Sequence, residues 1–203
     1  LAESLLPIIA QKSAPVQKKW LDLLTLENIG THLPVMYELA GGASIDAIPL
    51  WLEALNRIDP KDSGLFLENY LSHPDYRVKA EAFAGACLSC SLENYDEYRR
   101  RINEWIDGDE FHLRLALKVL SKTGDMFYEK KLVDSFRSTR DPDMKVWSLE
   151  GLSKMNHKEM VSFALSASFD GSSRVRMASL KALSCIEPSV PAEMILEFLI
   201  DSD

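Results

Sequence analysis

The stretch Val175-Arg176-Met177-Ala178-Ser179-Leu180-Lys181-Ala182-Leu183 has a counterpart 31 residues earlier, Met144-Lys145-Val146-Trp147-Ser148-Leu149-Glu150-Gly151-Leu152. Serine, leucine, a small residue and a second leucine recur in register. A further 31 residues back stands Leu113-Arg114-Leu115-Ala116-Leu117-Lys118-Val119-Leu120, whose apolar positions arrive one place early. A step of 35 then reaches Val78, and steps of 31 reach Ala47 and Val16. With these six residues as anchors, the fifth position after them holds Leu21, Leu52, Phe83, Leu149 and Leu180, and Leu117 comes one place early in the fourth unit. The seventh holds Leu23, Ala54, Gly85, Leu120, Gly151 and Ala182, and the eighth holds Leu24, Leu55, Ala86, Ser121, Leu152 and Leu183.

Apolar residues at such spacings form one face of an α-helix. A phase kept small in four units of six predicts close approach between neighbouring helices. Between the repeated helices lie further amphipathic segments, for example 95–107, 126–138 and 157–168. They are separated by breakers such as Ala14-Pro15, Gly41-Gly42, Asp59-Pro60, His73-Pro74, Asp107-Gly108, Asp141-Pro142 and Asp170-Gly171. Proline in a first helical turn and Asp or Ser before it are start signals. No stretch alternates as a strand would. The expected fold is all-α: a right-handed α-solenoid of about six helical hairpins and a final helix near 191–201, because a hairpin buries its second face only against a neighbour. It reads as one repeat domain over residues 1–203.

Three segments carry a resemblance: Asp75-Tyr76-Arg77-Val78-Lys79-Ala80-Glu81-Ala82, Asp141-Pro142-Asp143-Met144-Lys145-Val146 and Ser173-Arg174-Val175-Arg176-Met177-Ala178. They resemble the Asp-x-x-x-Val-Arg-x-x-Ala-x-x-Ala-Leu core of HEAT repeats of the short bacterial, PBS-lyase type. Units one and two depart from it, with Gln17 and Ile48 where the basic residue stands. The resemblance implies a scaffold or adaptor whose curved surface holds another macromolecule. Bilin-attaching lyases and alkylpurine DNA glycosylases are similar solenoids, so the fold alone does not fix an activity.

The 203 residues hold 23 Lys and Arg against 31 Asp and Glu, a formal charge of −8. That balance argues against a general nucleic-acid binder, whose affinity comes from neutralising phosphates. Charge is uneven: net −5 over residues 1–75, +2 over 76–181, and −5 over the last 22. No apolar run approaches a membrane span. Three cysteines, Cys87, Cys90 and Cys185, form no disulfide framework and fit a reducing, cytoplasmic compartment. The chain opens on Leu1, which suggests a fragment of a longer protein, and Leu199 and Ile200 on the last helix call for a further covering unit.

The position after the anchor is cationic in four successive units: Lys79, Arg114, Lys145 and Arg176. One reading is a partner-binding stripe for an acidic peptide or phosphate. The other is an internal ladder in which each cation meets Asp75, Asp141, Asp143, Asp170 or a carbonyl of an adjacent unit. Arg99-Arg100-Arg101, with Glu97 and Glu104, reads as a solvated helix face. Trp20 and Trp51 share one phase and are expected in the core, as are Trp105 and Trp147. Cys87-Leu88-Ser89-Cys90 lacks both the helix N-terminus of a redox site and the second pair of a zinc site. His73-Pro74-Asp75 reads as a turn and cap, and Asp107-Gly108-Asp109-Glu110 as a turn before a helix rather than a calcium loop. The four histidines show no ligand spacing, and no phosphate loop or nucleophile elbow is present. No catalytic residue, metal ligand or cofactor is therefore assigned. The function expected is a non-enzymatic scaffold for another protein, with Lys79, Arg114, Lys145 and Arg176 as its first candidate contacts.

Overall fold

A computed structural model describes residues 2–25, 29, 32–89 and 92–185. The final helix near 191–201, Leu199, Ile200 and Cys90 lie outside the described residues. The chain is all-α, with twelve helices and no strand among the described residues. They are α1 (Ala2–Ala10), α2 (Ala14–Leu21), α3 (Leu33–Gly41), α4 (Ile48–Ile58), α5 (Ser63–Glu68), α6 (Tyr76–Ser89), α7 (Leu92–Ile106), α8 (Glu110–Thr123), α9 (Glu129–Ser138), α10 (Pro142–Lys154), α11 (Met160–Ala167) and α12 (Ser173–Cys185). The fold falls into two compact units, Leu1–Asp107 and Gly108–Asp203.

Local chemistry sets the helix starts. Pro15, Pro34, Pro49 and Pro142 occupy first turns, where a missing N–H costs nothing. Asp141 Oδ1 accepts the Asp143 and Met144 amides at 2.8 and 3.1 Å to cap α10, and Asp109 accepts the His112 amide at 3.0 Å to cap α8. His73 and His157 each use Nδ1 to accept the amide two residues on, which makes them turn residues. Gly124 ends α8 at φ +64°, in the left-handed region open to glycine.

In the first unit α2 packs on α4 and α4 on α6, while α1, α3 and α5 pack alongside. Leu6, Ile9, Leu21, Leu24, Met36, Trp51 and Leu55 form one core, and Leu52, Leu67, Val78 and Ala82 a second. Phe83 holds α7 through an edge contact with Tyr98 and a tilted one with Trp105, at 4.9 and 4.5 Å between ring centroids. In the second unit α8 packs on α10 and α10 on α12, with α9 and α11 beside them.

The helices carrying the repeat anchors are thus the ones that stack, and the small phase is where they touch. A Cβ on Gly85 would lie 1.9 Å from Asn56 Oδ1 on α4 and 2.3 Å from Leu67 Cδ1 on α5. A Cβ on Gly151 would lie 3.3 Å from the Leu120 carbonyl on α8 and 2.8 Å from Leu132 Cδ1 on α9. In both units the glycine faces the preceding anchor helix and the helix of its own pair.

Polar ties reinforce the same contacts. Gln17, buried on α2, donates to the carbonyls of Ala10 and Lys12 and accepts the Trp51 indole N–H at 2.7 Å. One amide thereby satisfies the open end of α1 and anchors α4. Arg57, ten residues after its anchor, donates to the Leu21 and Leu24 carbonyls at the end of α2. Lys154, at the same phase in its unit, donates to the Lys122 carbonyl near the end of α8.

Trp20 corrects one expectation. Trp51 is fully buried beneath α2, but Trp20 is 43% exposed. The phase is the same and the surroundings are not: α4 has an anchor helix before it, and α2 has none among the described residues. Cys87 is buried, as expected of a small apolar side chain.

Gly85→Ala is expected to destabilise the chain by about 1–3 kcal/mol through overpacking, despite the gain of about 1 kcal/mol in helix propensity. Asn56 cannot yield freely, since its amide donates to the buried Glu81 carbonyl at 2.8 Å. Gly151→Ala, facing a movable leucine tip, costs less. Urea denaturation of both variants checks the order, and an equal or stabilising effect at Gly85 contradicts the packing.

Candidate interaction surface

The starts of the anchor helices gather most of the charge singled out in the sequence. In the second unit the Arg114 guanidinium pairs with Asp141, and its Nη2 lies 3.3 Å from Asp143 Oδ2. It also lies over the Trp147 ring, 5.7 Å from the centroid. Arg174 pairs with the other oxygen of Asp143. Lys145 Nζ meets Asp170 Oδ2 at 2.5 Å, and Arg176 Nη1 donates to the Asp170 and Gly171 carbonyls at 3.0 and 3.3 Å. Three of the four predicted residues thus share one edge, and each cation one place after its anchor reaches an acidic cap or turn carbonyl.

Lys79 belongs to the first unit and is half-buried, with no carboxylate partner among the described residues. The ladder role there falls to Arg77, two residues earlier. Its Nη2 lies 2.7 Å from Asp75 Oδ2 and 3.1 Å from Asp46 Oδ1 on the preceding turn. Arg100 and Arg101 pair with Glu97, and Arg100 also with Glu104, on an exposed face of α7.

These contacts set the ionisation of the carboxyls. Hydrogen bonds from Arg77 hold Asp75 below the ordinary carboxylate range, and the same bonds push the Arg77 guanidinium up. Burial pushes Asp141 up, but the Met144 amide and Arg114 outweigh it, and the net shift is downward. Burial likewise raises Asp170, and Lys145 with the Ser172 amide brings it below the usual range.

The structure adds two residues that the spacing did not select. Phe169, immediately before Asp170, is 83% exposed, and the Arg174 side chain is 67% exposed despite its ion pair. Phe111, at the start of α8, is also exposed. An aromatic between a helix end and an Asp-Gly turn is a legible sign of a solvent-facing ring, and Ser168-Phe169-Asp170-Gly171 carries it. The second unit therefore exposes a large apolar ring at Phe169 and, at Arg174, a guanidinium that is paired with Asp143 yet largely open to solvent.

Among the described residues no group of three or more His, Cys, Asp or Glu could hold a metal ion. His157, whose side chain is nearly buried, places Nε2 3.1 Å from Glu129 Oε1 and serves the packing of α9 against the turn before α11. No helix is long and apolar enough to cross a membrane among the described residues. Compared with known protein families, curated proteins and solved structures, the chain matches none.

The lowered carboxyls carry a pH dependence. A group whose folded pKa lies below its unfolded value of about 3.9 stabilises the fold above that value, and the contribution is lost as pH falls through the folded pKa. Acid unfolding is expected to steepen below about pH 4. Asp141→Asn and Asp170→Asn together, which remove charge but keep a capping acceptor, are expected to flatten that limb and cost about 1 kcal/mol each near neutrality. Thermal melts from pH 7 to 3 measure this, and an unchanged acid limb refutes the assignment.

Proposed function

We propose that the chain is a HEAT-like α-solenoid serving as a non-enzymatic scaffold that binds another protein along its surface. The observation that carries this reading is the edge of the second unit, where Phe169 and Arg174 stand exposed on a row of charge-paired helix starts. Support for the solenoid comes from the repeated order of stacking within each unit, the recurrent glycine contacts and the ladder of cations and acidic caps. A roughly 31-residue beat underlies all three. The HEAT-like resemblance rests on the same residues, since the ladder joins its Asp and basic positions.

A surface of this kind binds by several shallow contacts. In the second unit Arg174 offers charge to an acidic partner and Phe169 supplies the apolar anchor that interface cores favour; Lys79, in the first unit, is a separate candidate contact. Arg114, Lys145 and Arg176 contribute by holding the edge in shape. Their carboxylate and carbonyl partners lower the charge open to a polyanion, so a nucleic-acid role finds less support than a protein one.

Phe169→Ala, Arg174→Glu and Lys79→Glu alter exposed or half-exposed side chains and leave the core intact. With the chain immobilised and its co-purifying partner titrated, each is expected to weaken binding about tenfold, a loss of about 1.4 kcal/mol. Arg114→Glu, Lys145→Glu and Arg176→Glu are expected to weaken binding and lower the melting temperature together. Binding indifferent to the five second-unit changes removes this edge from the site, and binding indifferent to Lys79→Glu removes Lys79. Retention on duplex DNA that falls steeply with salt would favour the nucleic-acid reading instead.

A further inference from the structure

The turns that follow α8 and α10, both in the second unit, correspond residue for residue. Gly124 and Asn156 take left-handed backbone, at φ +64° and +50°. One place on, Asp125 Oδ1 accepts the Phe127 amide at 3.0 Å, and His157 Nδ1 accepts the Glu159 amide at 3.0 Å. The carbonyls of Asp125 and His157 then accept the amides of Tyr128 and Met160, at 3.0 and 2.9 Å. Tyr128 and Met160 are buried where α9 and α11 begin.

This closure leaves two positions of each turn outside. After α10 they hold Lys158 and Glu159, exposed and polar. After α8 they hold Met126 and Phe127, exposed at 67% and 64%. The fold does not require apolar side chains there, since the second turn closes in the same way without them. Phe127 sets its ring edge-on to the buried Tyr128, with 5.0 Å between centroids, so the tip is held firmly while most of its apolar surface meets water.

The two turns also lie side by side. His157 reaches Glu129 at the start of α9, and Lys154 reaches the Lys122 carbonyl near the end of α8. Charge here is arranged in the opposite sense to the edge of helix starts. The carboxyls are occupied: Asp125 holds the Phe127 amide, Glu129 meets His157, and Glu159 lies 3.5 Å from Arg137. Lys130 and Lys158, both exposed, and the half-buried Lys131 have no carboxylate partner among the described residues.

We infer that this end of the second unit docks on an anionic lipid surface. Met126 and Phe127 enter the headgroup boundary, and Lys130, Lys131 and Lys158 lie against the headgroups. Such a boundary accepts apolar side chains without a complementary shape, and each nearby lysine adds attraction to anionic lipid. A stable protein interface takes about 800 Å² of matched surface from each side, whereas the apolar part of this tip is two side chains. The chain's net charge of −8 opposes the approach, so the attraction is local and is weakened by salt. The inference concerns a different surface from the scaffold edge and does not rest on it.

Co-flotation of the 203-residue chain with phosphatidylcholine vesicles containing about 30% phosphatidylserine tests the docking. Binding is expected at low salt, falling as salt rises, and about tenfold weaker on phosphatidylcholine alone. Met126→Ser with Phe127→Ser is expected to lower partitioning about tenfold, and Lys130→Gln with Lys131→Gln by a similar factor. None of the four belongs to the core, and circular dichroism verifies each fold. Phe127→Trp is expected to add emission that shifts to the blue on vesicles and is quenched by brominated acyl chains, which adsorption by charge alone does not produce. Phe169→Ala leaves vesicle binding unchanged, and the double serine variant keeps the co-purifying protein partner, so the two surfaces are tested apart. No co-flotation at low salt overturns the proposal, as does full partitioning of the double serine variant or an unquenched Phe127→Trp signal. Loss of the protein partner from the double serine variant would make the tip a protein contact instead. Self-association of the chain that this variant abolishes would make it a contact between copies.

Discussion

Successive anchor helices in each unit approach one another closely at the seventh position after the anchor, and the other contacts depend on that spacing. At Gly85 Asn56 Oδ1 fills the space a Cβ would take, and at Gly151 a Cβ would press on the Leu132 tip and lie tight against the Leu120 carbonyl. The two leucines of this row stand in the leading anchor segment of each compact unit, Leu120 on α8 and Leu23 in the turn just after α2. The four small residues belong to the followers. Residue size at one phase thus records which helices have a close predecessor within their unit. Close packing makes such positions sensitive to single methyl groups.

Once the helices are this close, their ends come within reach of long cations. The α8–α10 contact is held at both ends: Arg114 reaches Asp141 and Asp143 at the helix starts, and Lys154 reaches the Lys122 carbonyl at the other end. The α2–α4 contact uses Gln17 with Trp51 at one end and Arg57 with two carbonyls at the other. These bonds satisfy helix-terminal groups that would otherwise need water. A change of spacing of one side chain would break both ends, so the ladders follow from the packing and do not replace it.

The same arrangement shapes the functional reading. Cations tied to acidic caps set the edge and contribute little free charge. What remains for recognition is the exposed material on the edge, chiefly Phe169 and Arg174, with Lys79 in the other unit. This division explains why a segment that is net positive in sequence presents a mixed surface. It also explains why the cation column is both structural and a candidate binding feature: its members support the residues that a partner would touch.

The sequence by itself determined the all-α class, the anchor helices, the face each offers for packing and the helix starts, because spacing, proline and Asp caps act within a few residues. It also determined that Asp75, Asp141, Asp143 and Asp170 stand within the cations' register. Only the tertiary structure decided which cation pairs with which carboxyl, that Arg77 takes the ladder role ahead of Lys79, and that Arg57 and Lys154 cap a neighbour's end. It alone separated Trp20 from Trp51, which share a phase and a residue type and differ only in whether a helix lies across them. Burial is a property of what arrives from elsewhere in the chain, and periodicity reports the face a helix offers without reporting whether that face is met.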